Sequence, residues 1–317
     1  MLIRDIDFST LVNHSLVRHS TNTSSLYAIL KYRFCNNLRK NKLFNIELVI
    51  RWYENQEVDR GTIFGWRLYS SSIKIIGYMG YFAPKNYLST FPIQIEYETK
   101  LVPDTMGVMG PGLIKQHKQF CDSLNIKVAP SFRFALPNKF KKRSILRKNE
   151  IRVLVTCPVQ KRHIQILVNI IIKMSSKTHE MPIKFLIKPH PVSKFTAKEY
   201  FSGINNSIYD FTDESIPGIF KDIDIVMSFS SSTLVEAVIH NIYSVLVSPT
   251  QMIRLNVIPR FVPNSIWNEI YNAEELSEII NQKKYLTDLD LNNAHCINTN
   301  LIGMEPNTKN VSEFLGL

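Results

Sequence analysis

Acidic residues, paired cysteines and long apolar runs are scarce or missing in this chain. Against 38 Lys and Arg stand 27 Asp and Glu, a formal net charge of +11. Such an imbalance bears on partners rather than on fold, and it suits nucleic acid, an anionic membrane surface, or acidic and phosphorylated substrates. No recognised nucleic-acid-binding motif accompanies the charge, so a nucleic-acid partner is not expected. The four cysteines (Cys35, Cys121, Cys157, Cys296) are scattered, with no CxxC pair. Neither a zinc site nor a disulfide framework is indicated, and reduced thiols of a cytoplasmic protein are expected. No apolar run reaches the roughly 18–20 residues that span a bilayer. The stretch Met1–Asp7 lacks the basic-then-apolar layout of a secretory signal. Gly77 and Gly80, and Gly107, Gly110 and Gly112, read as turn glycines. Neither group forms a GxGxxG or a P-loop, which disfavours a nicotinamide dinucleotide site or an NTPase.

What is present is globular in composition: 317 residues, 44% hydrophobic and 21% charged, enough for a large core or two domains. Residues 24–40 fit one amphipathic helix, with Leu26, Ile29, Leu30, Phe34 and Leu38 to one side. Strands are expected at 45–52 and 74–78, a third short segment from Lys100–Pro103, and another near 126–128. Helices are expected at 59–70 and 113–124, and Gly107–Gly112 as a turn. The second half alternates more regularly. Strands at 151–156, 183–187, 207–211, 223–227 and 243–247 are interleaved with helices at 159–175, 197–201, 216–221, 233–241 and 273–282. Continuous apolar strands in βα alternation indicate a buried parallel sheet. The expectation is an α/β protein of two Rossmann-like domains with parallel sheets. Residues 1–137 form a short or incomplete N-terminal domain, 138–150 a basic linker, and 151–317 the better-formed domain, ending in helices. The run Asn138–Lys148, with its six Lys and Arg, reads either as a solvated linker or as a membrane-facing patch.

Two stretches carry candidate chemistry. Ile183–Ile187 runs into Lys188-Pro189-His190-Pro191, and Ile223–Met227 runs into Ser228-Phe229-Ser230-Ser231-Ser232-Thr233 with Glu236 beyond. Ligands bind at the C-terminal ends of parallel strands, so two polar loops about 40 residues apart point to one shared anion site. A helix starting near Ser232 would offer serine hydroxyls, free N–H groups and the positive end of its dipole to a phosphate. The plainer alternative is a capping box between Thr233 and Glu236. The two prolines of the KPHP loop hold His190 on a rigid turn, where it can donate to a phosphate while Lys188 adds charge; the alternative is simply a stiff turn. Asp222-Ile-Asp224 matches a DxD pattern but reads better as a strand start. In Trp52-Tyr53-Glu54-Asn55-Gln56 a carboxylate follows an N-terminal strand, the place for a general base, although Glu54 equally suits a helix start.

The Lys-Pro-His-Pro strand end followed by Ser-Ser-Ser-Thr-Leu-x-Glu-Ala resembles the C-terminal domain of GT-B-fold glycosyltransferases. More narrowly, it is similar to bacterial sialyl- and Kdo-transferases that use CMP-activated sugars. The stretches Trp52–Gln56, Asp59–Gly61, Gly65 and Val128–Phe134 are similar to bacterial surface-carbohydrate biosynthesis proteins. The resemblance spans roughly residues 45–250. It implies that Lys188, His190, Pro191 and Ser230–Thr233 hold the nucleotide phosphate, that Glu236 contacts ribose, and that Glu54 is the catalytic carboxylate. The same resemblance implies that the first domain is the acceptor side and that the second binds the nucleotide-sugar. It also implies catalysis with no cofactor or metal, the nucleotide-sugar being a co-substrate. The acceptor would be a glycan or glycolipid of capsule or lipopolysaccharide, reached by peripheral contact with the inner face of an anionic membrane. An epimerase, a CDP-glycerol glycerophosphotransferase, or an inactive nucleotide- or carbohydrate-binding relative fits the same motifs.

Overall fold

The computed structural model describes residues 2–3, 6–7, 9–40, 45–68, 72–134, 150–202, 207–251, 253–286 and 291–317. The basic run 138–148, and with it nearly all of the expected linker, lies outside them. The chain forms two compact units, Met1–Gly80, Leu88–Pro130 and Asn307–Leu317 in one, Tyr81–Tyr87 and Ser131–Pro306 in the other.

The first unit opens with a two-residue antiparallel pair, β1 (Leu2–Ile3) and β2 (Ile6–Asp7), then helices α1 (Ser9–Thr21) and α2 (Thr23–Lys40). β3 (Leu48–Trp52), α3 (Glu57–Arg67), β4 (Lys74–Met79), α4 (Gln94–Glu98), β5 (Thr105–Val108), α5 (Ile114–His117) and β6 (Ile126–Val128) follow. The four longer strands make a parallel sheet in the sequential order β3-β4-β5-β6. α2 crosses α3 so closely that a Cβ on Gly61 would collide with the Ala28 carbonyl oxygen, and one on Gly65 would meet the Tyr32 oxygen at 2.8 Å. The i, i+4 pair of glycines is therefore what admits α2.

Two expectations for this unit need correction. The third strand lies at 105–108 instead of starting at Lys100, because Lys100 is left-handed (φ 58°) and Pro103 offers no donor. Gly107 thus belongs to a strand, not a turn; a Cβ there would strike Phe314 at 2.5 Å and Ala129 at 2.8 Å. The expected helix 113–124 stops after His117, where three-residue turns take over (Gln119 N–H to Gln116 O, 3.3 Å; Cys121 N–H to Lys118 O, 3.2 Å).

The second unit contains β7 (Ile151–Thr156), α6 (Lys161–Ser175), β8 (Ile183–Lys188), α7 (Lys194–Phe201), β9 (Tyr209–Phe211), α8 (Ile216–Ile219), β10 (Ile225–Ser228), α9 (Ser232–Ile239), β11 (Tyr243–Val247), β12 (Trp267–Ile270), α10 (Ala273–Asn281) and α11 (Leu291–Leu301). Its six strands are all parallel, in the order β12-β11-β10-β7-β8-β9. α6 buries Ile164, Leu167, Val168, Ile171 and Met174, a 3.6-residue spacing that seats one face on the sheet. The chain then returns to the first unit as α12 (Thr308–Leu315). α12 is capped by Asn307 accepting from the Asn310 N–H (2.9 Å) and closed by left-handed Gly316. Phe314 packs there with Ile76, Tyr78 and Ala129. Among the described residues no helix is long and apolar enough to cross a membrane.

His117 is buried against Phe91, and its Nδ1 has no hydrogen-bond partner. Burial lowers its pKa from 6.5 to about 4. Because the folded state resists protonation, the associated stability is complete above pH 6.5 and is lost as pH falls towards 4. At about 1.4 kcal/mol per pH unit the loss reaches roughly 3 kcal/mol. Urea unfolding of wild type and His117→Leu at pH 7 and pH 4 should show this loss in the wild type and its near absence in the variant.

Candidate active site

Strand order places the site. In the first unit's sheet consecutive strands are neighbours throughout, so among the described residues the order nowhere reverses. In the second, the chain runs β7-β8-β9 outward, then returns to lay β10 against the other side of β7. The reversal opens a crevice outside the carboxyl ends of β7 and β10, the ligand position of open α/β sheets.

At this edge Lys188, Thr156 and Ser228 stand in register across β8, β7 and β10. The Ser228 hydroxyl donates to the Thr156 carbonyl oxygen (2.9 Å), and the Cys157 N–H donates to the Lys188 carbonyl oxygen (3.0 Å). The chain leaves β10 through Phe229 and Ser230. Ser231 caps α9, its Oγ accepting from the Thr233 N–H (3.3 Å) and donating to the Thr233 hydroxyl (3.1 Å). Ser232 and Thr233 are then the first two helical residues. This geometry excludes the Thr233–Glu236 capping box, since the cap is Ser231 and Glu236 lies in the second turn.

Two hydroxyls here are buried and unused. Thr156 Oγ1 and Ser230 Oγ have no hydrogen-bond partner, and Thr156 is only 8% exposed. Buried polar atoms are almost always satisfied, so these two hydroxyls at the switch point are free to bond an incoming group. Beside them, His163 stacks flat on Phe229 (4.4 Å between ring centres, 11°), tying the first turn of α6 to the serine loop. Burial, and secondarily the charge of Arg162, lowers the His163 pKa and favours the neutral ring. The first turn of α6 carries Lys161, Arg162 and His163 with no acid and no side-chain cap. Lys161 and Arg162 thus oppose the helix dipole, which favours anions at this end. Cys157 is no nucleophile here, since burial pushes its thiol up to about 12.

His190 and Pro191 sit on the far side of β7. Adjacent strands are ~4.8 Å apart, so the ends of β8 and β10 are roughly 10 Å apart, with the β7–α6 connection between them. The Val192 N–H donates to His190 Nδ1 (3.3 Å), which leaves the proton of a neutral ring on Nε2. Lys188 reaches along this edge past the end of β9, its ammonium donating to the Glu214 carbonyl oxygen at 2.5 Å. Glu236 is half-buried. Burial raises its pKa, and the nearby Arg133 guanidinium partly offsets this. Arg133 comes from a loop fastened by the Ser131 hydroxyl donating to the Phe134 carbonyl oxygen (2.7 Å). Asp224 accepts from the Arg152 N–H (2.8 Å) and so fixes the start of β10.

In the first unit, Glu54 follows β3 on a tightly held loop. Its two carboxylate oxygens accept from Trp52 Nε1 (2.6 Å) and Gln56 Nε2 (2.8 Å). Asn55 is buried and left-handed (φ 57°), held by the Tyr53 hydroxyl (2.8 Å) and by its own donation to the Ser89 carbonyl oxygen (3.1 Å). Asp59 closes the loop by accepting from the Glu54 and Gln56 N–H groups (both 2.9 Å) and pairing with Arg51. Asparagine takes this left-handed conformation readily, and the hydrogen-bonding side chains around it hold the loop in one shape.

Sequence reading missed Thr156, Lys161, Arg162, His163 and Arg133. Thr156 was within reach, as the polar end of a third apolar strand; the pairing of His163 with Phe229 needs the fold.

No family model and no curated protein matches the chain. Solved structures do. MurG of Acinetobacter baumannii superposes with a TM-score of 0.53 at 10% identity, over 91% of this chain and 78% of that one. UDP-GlcNAc 2-epimerase of Neisseria meningitidis gives 0.56 at 12%, over 86% and 78%. Staphylococcus aureus MnaA, solved with UDP, gives 0.55 at 11%, over 90% and 82%. The chain has the α/β fold of two Rossmann-like domains with parallel sheets, of GT-B type.

Thr156→Val exchanges an orphan hydroxyl for a methyl of the same shape. Without ligand the variant should melt at the wild-type temperature or slightly above, because an unsatisfied buried hydroxyl is removed. The rise in melting temperature induced by a nucleotide should shrink, reflecting a roughly three- to tenfold weaker affinity. Scanning calorimetry with and without nucleotide reads both effects.

Proposed function

We propose that this chain is a glycosyltransferase that moves a sugar from a nucleotide donor to a hydroxyl of a surface glycan or glycolipid such as capsule or lipopolysaccharide. The carrying observation is the pair of orphan hydroxyls, Thr156 and Ser230, at the strand-order reversal beside the start of α9. In this reading the donor phosphate lies at the N-terminus of α9, held by N–H groups and by Ser230–Thr233, with His190 donating from Nε2. These donors stabilise the charge that builds on the leaving phosphate. Glu236 accepts from ribose hydroxyls. Glu54 takes the proton of the acceptor hydroxyl as general base, on a loop stiff enough to hold its direction.

The donor is proposed to be CMP-linked and used without metal. A single-phosphate leaving group suits a site made of hydroxyls, one histidine and a helix end. The enzyme would work at the inner face of a membrane. A second reading, an epimerase acting on a UDP-sugar, draws on the likeness to the Neisseria epimerase.

Melting temperatures measured with CMP, UDP, GDP and ADP, each with and without EDTA, test the donor. Selective EDTA-insensitive stabilisation by CMP is expected; preference for UDP would overturn the CMP assignment. His190→Ala should weaken nucleotide binding roughly tenfold or more, the scale of a lost hydrogen bond to a charged group. Glu54→Gln should keep donor affinity and lower transfer by about 10²–10⁴, the range of a lost general base. Product formed without acceptor would favour the epimerase.

A further inference from the structure

The side of α2 turned away from α3 has no use in the reading above. Ala28, Tyr32 and Cys35 face the glycines of α3. On the remaining surface stand Leu26, Tyr27, Ile29, Leu30 and Phe34, each 50–57% exposed. Leu26, Leu30 and Phe34 repeat every four residues and form a stripe along the helix. Five large apolar side chains on three turns exceed what a soluble surface leaves open by chance; such patches mark interaction sites. Among the described residues nothing covers them.

The charge around the stripe selects the occupant. Lys31 and Arg33 flank it on either side, and the Lys31 ammonium lies 5.9 Å from the centre of the Phe34 ring. From residue 8 to residue 46 the sequence has no Asp or Glu and has six Lys or Arg: Arg18, Lys31, Arg33, Arg39, Lys40 and Lys42. A second copy of this surface would bring like charges together, which disfavours self-association through it. A helix with Leu, Phe and Tyr on one side and only cations around them matches an anionic lipid interface. There the apolar stripe enters the acyl boundary while Lys and Arg meet the headgroups.

We infer that α2 is the element by which this protein lies on an anionic membrane, with Leu26, Leu30 and Phe34 inserted. The inference names a surface for the membrane contact proposed above. It rests on that reading only for the whereabouts of the acceptor, and its test uses no nucleotide.

The experiment is co-sedimentation of the full chain with vesicles of phosphatidylcholine alone or containing about one-third phosphatidylserine. Wild type should sediment with the anionic vesicles and remain largely in solution with the neutral ones. High salt should weaken binding without abolishing it, because the inserted stripe is insensitive to screening. Leu30→Glu/Phe34→Glu should lower the partition coefficient by roughly tenfold or more, since apolar insertion is replaced by two buried charges. Lys31→Ser/Arg33→Ser should lower it about fivefold or more and reduce the preference for phosphatidylserine. Both double variants should keep the wild-type melting temperature and the nucleotide-induced rise in it, which separates loss of docking from misfolding and from failure of the donor site. Wild type that ignores both vesicle types would overturn the inference, as would a glutamate variant that binds undiminished. A wild-type dimer that the glutamate variant converts to monomer would also overturn it, in favour of self-association.

Discussion

Everything in the second unit depends on β7 being flanked on both sides and buried on both faces. Val153, Leu154 and Val155 are fully buried, and their backbones are satisfied by β8 on one side and β10 on the other. A strand so enclosed has one place where its chain meets solvent on the ligand side, the step from Thr156 to α6. Because the chain must return past β7 to build β10, the two βα connections beside it diverge and leave a crevice. The polar atoms at its base are fixed by the sheet before any ligand arrives. Preorganisation of this kind costs a little folded-state stability in orphan hydroxyls and lowers the reorganisation needed on binding.

The electrostatics around that crevice are unbalanced in one direction. Two helices of eight or more residues begin there, α6 and α9, and both point their positive ends at the strand tips. α9 has a neutral cap in Ser231. α6 has neither a capping side chain nor an acid in its first turn and carries the cations Lys161 and Arg162 instead. Charges of the wrong sign at a helix end cost about 0.3–1 kcal/mol each at the surface. A stability-optimised sequence would place Asp or Glu there, as α10 does with Glu274 and Glu275. A phosphate at the proposed site would relieve this conflict in α6.

The α/β architecture and the serine loop were legible because they rest on local signals. Apolar strands such as 151–156 and 243–247 came out within a residue or two, since a strand buried on both faces has little choice of composition. Ser230–Thr233 at the head of a helix was legible for the same reason. Illegible features were those set by distant contacts. Gly107 reads as a turn until Phe314, some 200 residues on, is seen filling the space above it. Strand β12 and the return of 307–317 to the first unit leave no periodic trace. The partner that Lys188 has here, the carbonyl of Glu214, belongs to a loop whose position only the sheet defines. The order of the strands, which singles out Thr156, cannot be read from any one of them.

The spacing of the anchors sets how one ligand can use them together. His190 and the serine loop are separated by the width of β7, roughly 10 Å between strand ends. A phosphate is held by donors at about 3 Å from its oxygens, so a group seated at α9 meets His190 only if that side chain reaches across the start of α6. In the proposed function that reach is what lets His190 and the serine loop share one donor phosphate, the rest of the donor extending along the sheet edge. Glu236, in the second turn of α9 and half-buried beside Arg133, adds an acceptor beyond the phosphate position. In the proposed function, cap, orphan hydroxyls, histidine and glutamate follow one another along the sheet edge as the parts of a nucleotide-sugar would.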